Sequence, residues 1–203
     1  IAKKNINDPQ YVSACLDKVT LACNHLITLI NDILDISKVE SGKMALSLES
    51  VQINSLLENI VNIIRPQMND KNIKFDYYAH DIPFDCITAD GLRLSQIYMN
   101  LLSNAYKYTD KGGHIELEIY EELNDCKNDN VRLVYRVKDN GIGMSDEYMK
   151  TMYDSFTRAE RSTISKIQGS GLGLAIVKQL TDMMQGTIEC QSTEGIGTEF
   201  IVR

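Results

Sequence analysis

The 203-residue sequence predicts an α+β protein, a mixed β-sheet with helices layered on one face, preceded by a long coiled-coil-like helix. Three observations predict it. Apolar residues in the N-terminal segment recur in heptads. Beyond Gly42 the apolar period switches irregularly between strand-like and helix-like. Several strand candidates follow one another directly, as hairpins do.

The heptad segment comes first. Val12, Cys15, Val19, Ala22, Leu26, Leu29, Ile33 and Ile36 are separated by alternating steps of three and four. Pro9 sits where a first helical turn tolerates it. Gly42 marks the end, with Lys38 in the last turn and Lys43 just after the glycine. The seam is narrow and strictly heptadic, which favours packing against another helix over a lone amphipathic helix. His25 lies beside the seam with no second histidine or carboxylate near it, and reads as a flank residue of a bundle rather than a metal ligand or phosphate acceptor.

In the body, Met44–Leu48 reads as a strand by weak alternation. Ser55-Leu56-Leu57-Glu58 has capping-box spacing and opens a helix to about Met68. Strands are expected over 73–78 and 86–88. Asp90 caps a helix from Gly91 to about Tyr108. Strands over 114–120 and 131–138 flank a charged loop, 121–130. A helix over about 172–184 precedes strands over 187–191 and 198–202.

Composition narrows the function classes. Hydrophobic residues at 43% and charged residues at 24% are ordinary for a globular chain and exclude wholesale disorder. A net charge of -7 argues against a general nucleic-acid binder. No apolar run is long enough to span a bilayer, and no signal peptide is visible. The absence of an initiator Met and the stop at Arg203 inside a strand read as an excised fragment. Cys15, Cys23, Cys86, Cys126 and Cys190 form no Cys-x-x-Cys pair. Neither a zinc site nor a disulfide framework is expected, and a reducing cytoplasm fits.

Three stretches carry chemistry. On the helix from Gly91, a step of 100° per residue puts Arg93, Gln96, Asn100, Ser103, Asn104 and Lys107 in one sector about 100° wide. The adjacent sector holds Leu94, Ile97, Tyr98, Leu101, Leu102 and Ala105. Two asparagines four apart and a lysine suit a phosphate or a hydrated cation, though an ordinary wet face accounts for them equally well. Asp139-Asn140-Gly141-Ile142-Gly143 follows a strand end. Its carboxylate can accept from an exocyclic amine while the glycines let the backbone pass beneath a flat ring, or it is simply a tight turn. Gly169-Ser170-Gly171-Leu172-Gly173 opens a helix and can wrap backbone N–H groups around an anion. It is neither a dinucleotide fingerprint nor a P-loop. Residues 157–168 before it are polar and basic, and read as a mobile lid.

In order along the chain, these stretches resemble the sensor histidine kinases. Asn100-Leu101-Leu102-Ser103-Asn104-Ala105-Tyr106-Lys107-Tyr108-Thr109 is similar to their N box. Asp139–Gly143 is similar to the G1 box, Tyr153-Asp154-Ser155-Phe156 to the F box, and Gly169 to Leu174 to the G2 box. Gly195-Ile196-Gly197-Thr198-Glu199-Phe200 resembles the last glycine turn. The heptad helix ending Leu29–Lys38 resembles the second helix of the dimerisation and phosphotransfer hairpin.

The resemblance implies a Bergerat-type α/β sandwich over residues 43–203, shared with Hsp90, type II topoisomerases and MutL, and a partial hairpin over 1–42. It implies ATP and Mg²⁺ as cofactors. Asn100 would coordinate Mg²⁺ through its side-chain oxygen; Asn104, Lys107 and Tyr108 would contact phosphate or ribose. Asp139 would take the adenine amine, with Gly141 and Gly143 at the ring and Thr198 beside it. Gly169, Gly171, Leu172 and Gly173 would hold the triphosphate, and Arg158 would stabilise charge on the transferring phosphoryl group.

The family's acceptor is a helix histidine followed by an acid. Here His25 precedes Leu26 and His114 precedes Ile115. His80 precedes Asp81 but follows a strand. The fragment is therefore expected to bind ATP without phosphorylating itself. Its expected partners are its own hairpin or a second protomer and a response-regulator receiver domain, in a cytoplasmic setting that leaves open an inner-membrane anchor in the parent. Two alternatives are a non-catalytic nucleotide-dependent dimerisation module and an ATPase of the Hsp90 or MutL type. The intact boxes disfavour the first. The preceding heptad helix and the lack of an evident Glu base on the N-box helix disfavour the second.

Overall fold

The computed structural model describes residues 8–80, 82, 86–122, 131–157 and 170–203, with the backbone alone at Leu21, Asn24, His25 and Glu40. The chain forms two compact units, one ending at Met44 and one over Ala45–Arg203.

In the first unit, α1 runs Pro9–Glu40. Asp8 caps it by accepting from the Tyr11 N–H at 3.0 Å, and proline occupies the first turn, where its missing N–H has no helical partner to lose. At the other end Gly42 takes a φ of 65°, and the Lys43 and Met44 N–H groups return to the Lys38 carbonyl at 2.9 and 3.1 Å. Along the seam, Val19, Leu26 and Ile33 stand 57%, 57% and 49% exposed, an apolar stripe open to a partner.

The second unit opens with β1 (Glu49–Gln52) and α2 (Ile53–Asp70). Then come β2 (Lys74–Ala79), β3 (Cys86–Ala89) and α3 (Gly91–Tyr108). Next are β4 (His114–Glu122), β5 (Arg132–Asp139) and the short α4 (Asp146–Thr151). The unit closes with α5 (Gly173–Met183), β6 (Ile188–Thr193) and β7 (Gly197–Val202). β1 and β3 form a two-stranded antiparallel ribbon. The main sheet has the order β2-β4-β5-β7-β6, parallel only between β2 and β4.

One face of this mixed sheet, carrying Ile115, Leu117, Ile119, Tyr135 and Val137, is buried. The apolar sides of α2, α3 and α5 are buried with it: Ile53, Leu57 and Ile64; Ile97, Leu101 and Leu102; Ala175, Ile176 and Val177. Each large side chain in that list contributes roughly 1.5–3 kcal/mol relative to exposure. This is the α+β sandwich the periodicity predicts, with its helices on one face.

Four details differ from the sequence reading. The segment Met44–Leu48 is not a strand. The Lys43 and Met44 amides are held by the end of α1, and the Ser47 N–H donates to Asp90 Oδ2 at 3.0 Å, so no ladder forms until Glu49. α2 starts at Ile53 with Gln52 in the cap position, and Ser55 lies inside its first turn. Burying Ile53 and Leu57 as one stripe outweighs the capping box. The short helix α4 is an element the sequence reading does not contain, although Ser145 caps it by accepting from the Tyr148 N–H at 3.3 Å and Asp146 and Glu147 fill its first turn. The charged loop shortens as well, since Glu121 and Glu122 extend β4; residues 123–130 lie outside the described residues. Cys15, Cys23, Cys86 and Cys190 are free thiols. No helix among the described residues is long and apolar enough to cross a membrane.

Candidate functional site

The site is built on α3. Asp90 fixes its start: Oδ1 accepts from the Arg93 N–H at 3.1 Å while Oδ2 holds Ser47. Once Ile97, Leu101 and Leu102 turn inward, the polar sector must face the mouth of the sandwich. Asn104 and Tyr108 line a pocket there together with Asp139, Gly143 and Thr198. Five residues from three stretches of the sequence reading therefore converge on one cleft. Its walls are apolar: Leu101, Val137, Ile142, Met144, Leu174 and Phe200, with Tyr148 from α4 at the rim. These wall residues went unassigned at the sequence level, since most look like ordinary core. The apolar slot they form suits an uncharged ring.

Asp139 ends β5 and lines this slot. It is half-buried, and Oδ1 accepts from the Gly141 N–H at 2.8 Å. Burial pushes its pKa up to about 6, while the backbones of Gly141 and Thr198 pull the other way by favouring the ionised form. Among the described residues no cation pairs with it. Gly143 takes a φ of 63°, and a Cβ there would collide with the Thr193 carbonyl. Only glycine lets this loop lie against the β6–β7 turn. Asn100 is not among the residues lining this pocket; it donates through Nδ2 to the Gln96 carbonyl at 2.9 Å, which leaves Oδ1 free of that bond. A Cβ at Gly173 would stand 2.9 Å from that oxygen, so the glycine keeps the start of α5 open beside it.

The remaining predicted residues are not pocket walls. Lys107 is exposed on α3, and Gly141 is buried beneath the loop. Gly171 has a φ of 73°, and its carbonyl accepts from the Phe156 N–H at 3.1 Å, which ties the F-box end to the glycine loop. Leu172 is fully buried, so its side chain serves the core, and its N–H is held by Ser170 Oγ at 3.2 Å. Arg158, Gly169 and almost all of the expected lid lie outside the described residues. Among the described residues no cluster of three His, Cys, Asp or Glu side chains is arranged to hold a metal. A divalent cation here would depend on Asn100 and on oxygens that a phosphate chain brings, which is the usual way Mg²⁺ is held.

Residues 89–203 match the family of histidine kinase-, DNA gyrase B-, and HSP90-like ATPases. The autoinducer 2 sensor kinase/phosphatase LuxQ of Vibrio vulnificus is 34% identical over 205 residues, covering 98% of this chain and 23% of that protein. The sensor histidine kinase GacS of Pseudomonas protegens is 34% identical over 186 residues, covering 91% of this chain and 20% of its own. The chain thus spans under a quarter of these relatives. Among solved structures, full-length ShkA in complex with AMPPNP superposes with a TM-score of 0.75 at 30% identity, covering 95% of this chain and 37% of that one. A match across more than half the chain, joined to the convergent pocket, shows that the chain belongs to the histidine kinase-, DNA gyrase B- and HSP90-like ATPase family and carries its ATP-binding domain.

Proposed function

We propose that this chain binds ATP with Mg²⁺ and delivers the γ-phosphoryl group to a histidine on a dimerisation hairpin. The observation that carries the reading is Asp139: a half-buried carboxylate with no cation partner among the described residues, in an apolar slot that Asn104 also lines. A carboxylate kept ionisable in such a place is suited to an amine-bearing ring.

In this reading Asp139 accepts from the exocyclic amine, and Val137, Ile142, Met144 and Phe200 exclude water from the ring. Gly143 keeps the loop close to the ring, and Thr198 stands beside the carboxylate. Asn104, Lys107 and Tyr108 orient the ribose and phosphates. The Gly169–Gly173 loop supplies backbone N–H groups to the triphosphate. Asn100 offers Oδ1 to the cation, which when bound neutralises charge developing on the phosphate oxygens. Arg158 is assigned to the transferring phosphoryl group. We place the boundary between the partial hairpin and the catalytic domain at residues 42 and 43. α1, with its open apolar seam, is the helix that packs in the dimerising hairpin.

The acceptor histidine belongs to a helix outside the described residues. His80 and His114 sit at the end of β2 and the start of β4, and His25 precedes Leu26. A receiver domain is the onward partner, in a cytoplasmic location. Calorimetry of the chain with ATP, with and without Mg²⁺, tests the first half; binding is expected and should tighten with the cation. Phosphotransfer to an acceptor hairpin added in trans tests the second. Stable phosphohistidine on the isolated chain would overturn the assignment of the acceptor.

A further inference from the structure

Asp139, Thr198 and Ser192 form one row across β5, β7 and β6, because Asp139 pairs with Thr198 and Thr198 with Ser192. Directly paired residues project to the same face of a sheet, so the three side chains share the inner face. Ser192 Oγ has three neighbours at bonding distance: the Met144 nitrogen at 2.9 Å, the Gly197 carbonyl at 3.0 Å and Thr198 Oγ1 at 2.9 Å.

A serine hydroxyl has one proton to give and two lone pairs to offer. The Met144 N–H can only donate, so it takes one lone pair. The Gly197 carbonyl can only accept, so the one assignment that makes all three contacts hydrogen bonds gives it the proton. What remains for Thr198 in that arrangement is a lone pair, so the Thr198 hydroxyl donates to Ser192. Its proton is turned away from the pocket that Thr198 lines, and only its lone pairs remain for a ligand.

We propose that Ser192 is a specificity-determining positioning residue. By fixing the direction of the Thr198 hydroxyl, it makes the side of the pocket lined by Asp139 and Thr198 acceptor-only, carboxylate and hydroxyl together. That side matches a purine with an amine at C6 and repels one with a carbonyl there. Ser192 acts through Thr198 and touches no ligand itself. The inference rests on the nucleotide reading above.

The test compares ATP and ITP affinities by calorimetry on the whole chain. Wild type is expected to prefer ATP. Ser192→Ala frees the Thr198 proton to turn inward and donate to a C6 carbonyl, and should narrow the ATP-to-ITP ratio by about three- to tenfold, the worth of one neutral hydrogen bond. Ser192→Thr keeps the hydroxyl and should keep the ratio. Thr198→Val removes the oriented group outright. It should narrow the ratio even if Ser192→Ala proves unstable, and Ser192→Ala should add nothing in that background. A ratio unchanged by Ser192→Ala, or one still shifted by it when residue 198 is valine, overturns the proposal and leaves the nucleotide reading standing. Failure of the wild-type chain to bind ATP, or a preference for ITP, sinks the nucleotide reading itself and this inference with it.

Discussion

On the outward face of the main sheet, Arg136 stands among three carboxylates. Its Nη1 donates to Glu118 at 2.8 Å and Glu116 at 3.1 Å, and its Nε to Glu199 at 2.7 Å. Lys74 and His114 both reach Asp76, at 2.6 and 2.8 Å. The Lys74 ammonium, and then His114, hold the Asp76 carboxyl below the usual range. Glu118 loses some solvation, which alone would raise it, but Arg136 and His80 outweigh that loss and lower it. On the inward face Asp139, one residue beyond Lys138 on the same strand, meets no such cation among the described residues, and its pKa rises. Six residues of β4 and β5 thus teach a general point. A carboxylate whose charge is balanced within the fold stabilises the fold, and one left unbalanced in a slot is available to a ligand.

The comparison breaks most directly at Asp139. Replacing it with Asn removes a charge-assisted bond worth about 1.5–3 kcal/mol, so ATP affinity should fall roughly ten- to hundredfold by calorimetry. An unchanged affinity removes Asp139 from the amine-binding role. Acidification probes the same group without mutation. With a pKa near 6, Asp139 is mostly ionised at neutral pH. Between pH 7 and 5 ATP affinity should fall by about tenfold, and the fall should vanish in the Asn variant.

Next in size is Asn100→Ala, expected to weaken binding several-fold with Mg²⁺ present and hardly at all with the cation chelated; equal loss in both conditions would argue against a cation ligand. Smallest is Arg136→Ala on the outer face. It should leave ATP affinity untouched and cost on the order of 1 kcal/mol in urea unfolding, since the three carboxylates are part-exposed and screened.

Stability against pH should separate the two faces by sign. Asp139 has a raised folded-state pKa, so its contribution to stability is greatest below about 3.8, the ordinary Asp value, and is lost as pH rises through about 6. Asp76 and Glu118 have lowered values. Their contribution is present above the ordinary carboxylate range and is lost as the protein is acidified. Asp139→Asn should therefore flatten the stability profile near pH 5, whereas Glu118→Gln should flatten it in stronger acid. Profiles that move in the same direction would contradict the comparison.

Much of this was legible from local signals. Asp90 as a cap, the two-sided α3 and the glycine loops depend on residues within a few positions of one another. Hydrogen-bond geometry and helical phase read them without reference to the rest of the chain. Apart from α4, which its own Ser145 cap marks, the differences fall where a distant partner intervenes. Met44–Leu48 lost its strand to the end of α1 and to Asp90. Ser55 lost its capping role to the burial of Ile53. The wall residues Met144, Leu174 and Phe200 carry no mark in the sequence that separates a ligand-facing apolar side chain from a core one.

The amino-acid order by itself determined which helix would present Asn100 and Asn104, which strand would end in Asp139, and that a long apolar seam would be offered by α1, because each of these follows from spacing along one backbone. Only the tertiary structure decided that Asp139, Thr198 and Ser192 stand in a row, and that Asn100 Oδ1 faces Gly173. Strand register and the closeness of two elements are set by the packing of side chains far apart in the chain, and a shift of one residue in β7 would have sent Thr198 to the other face.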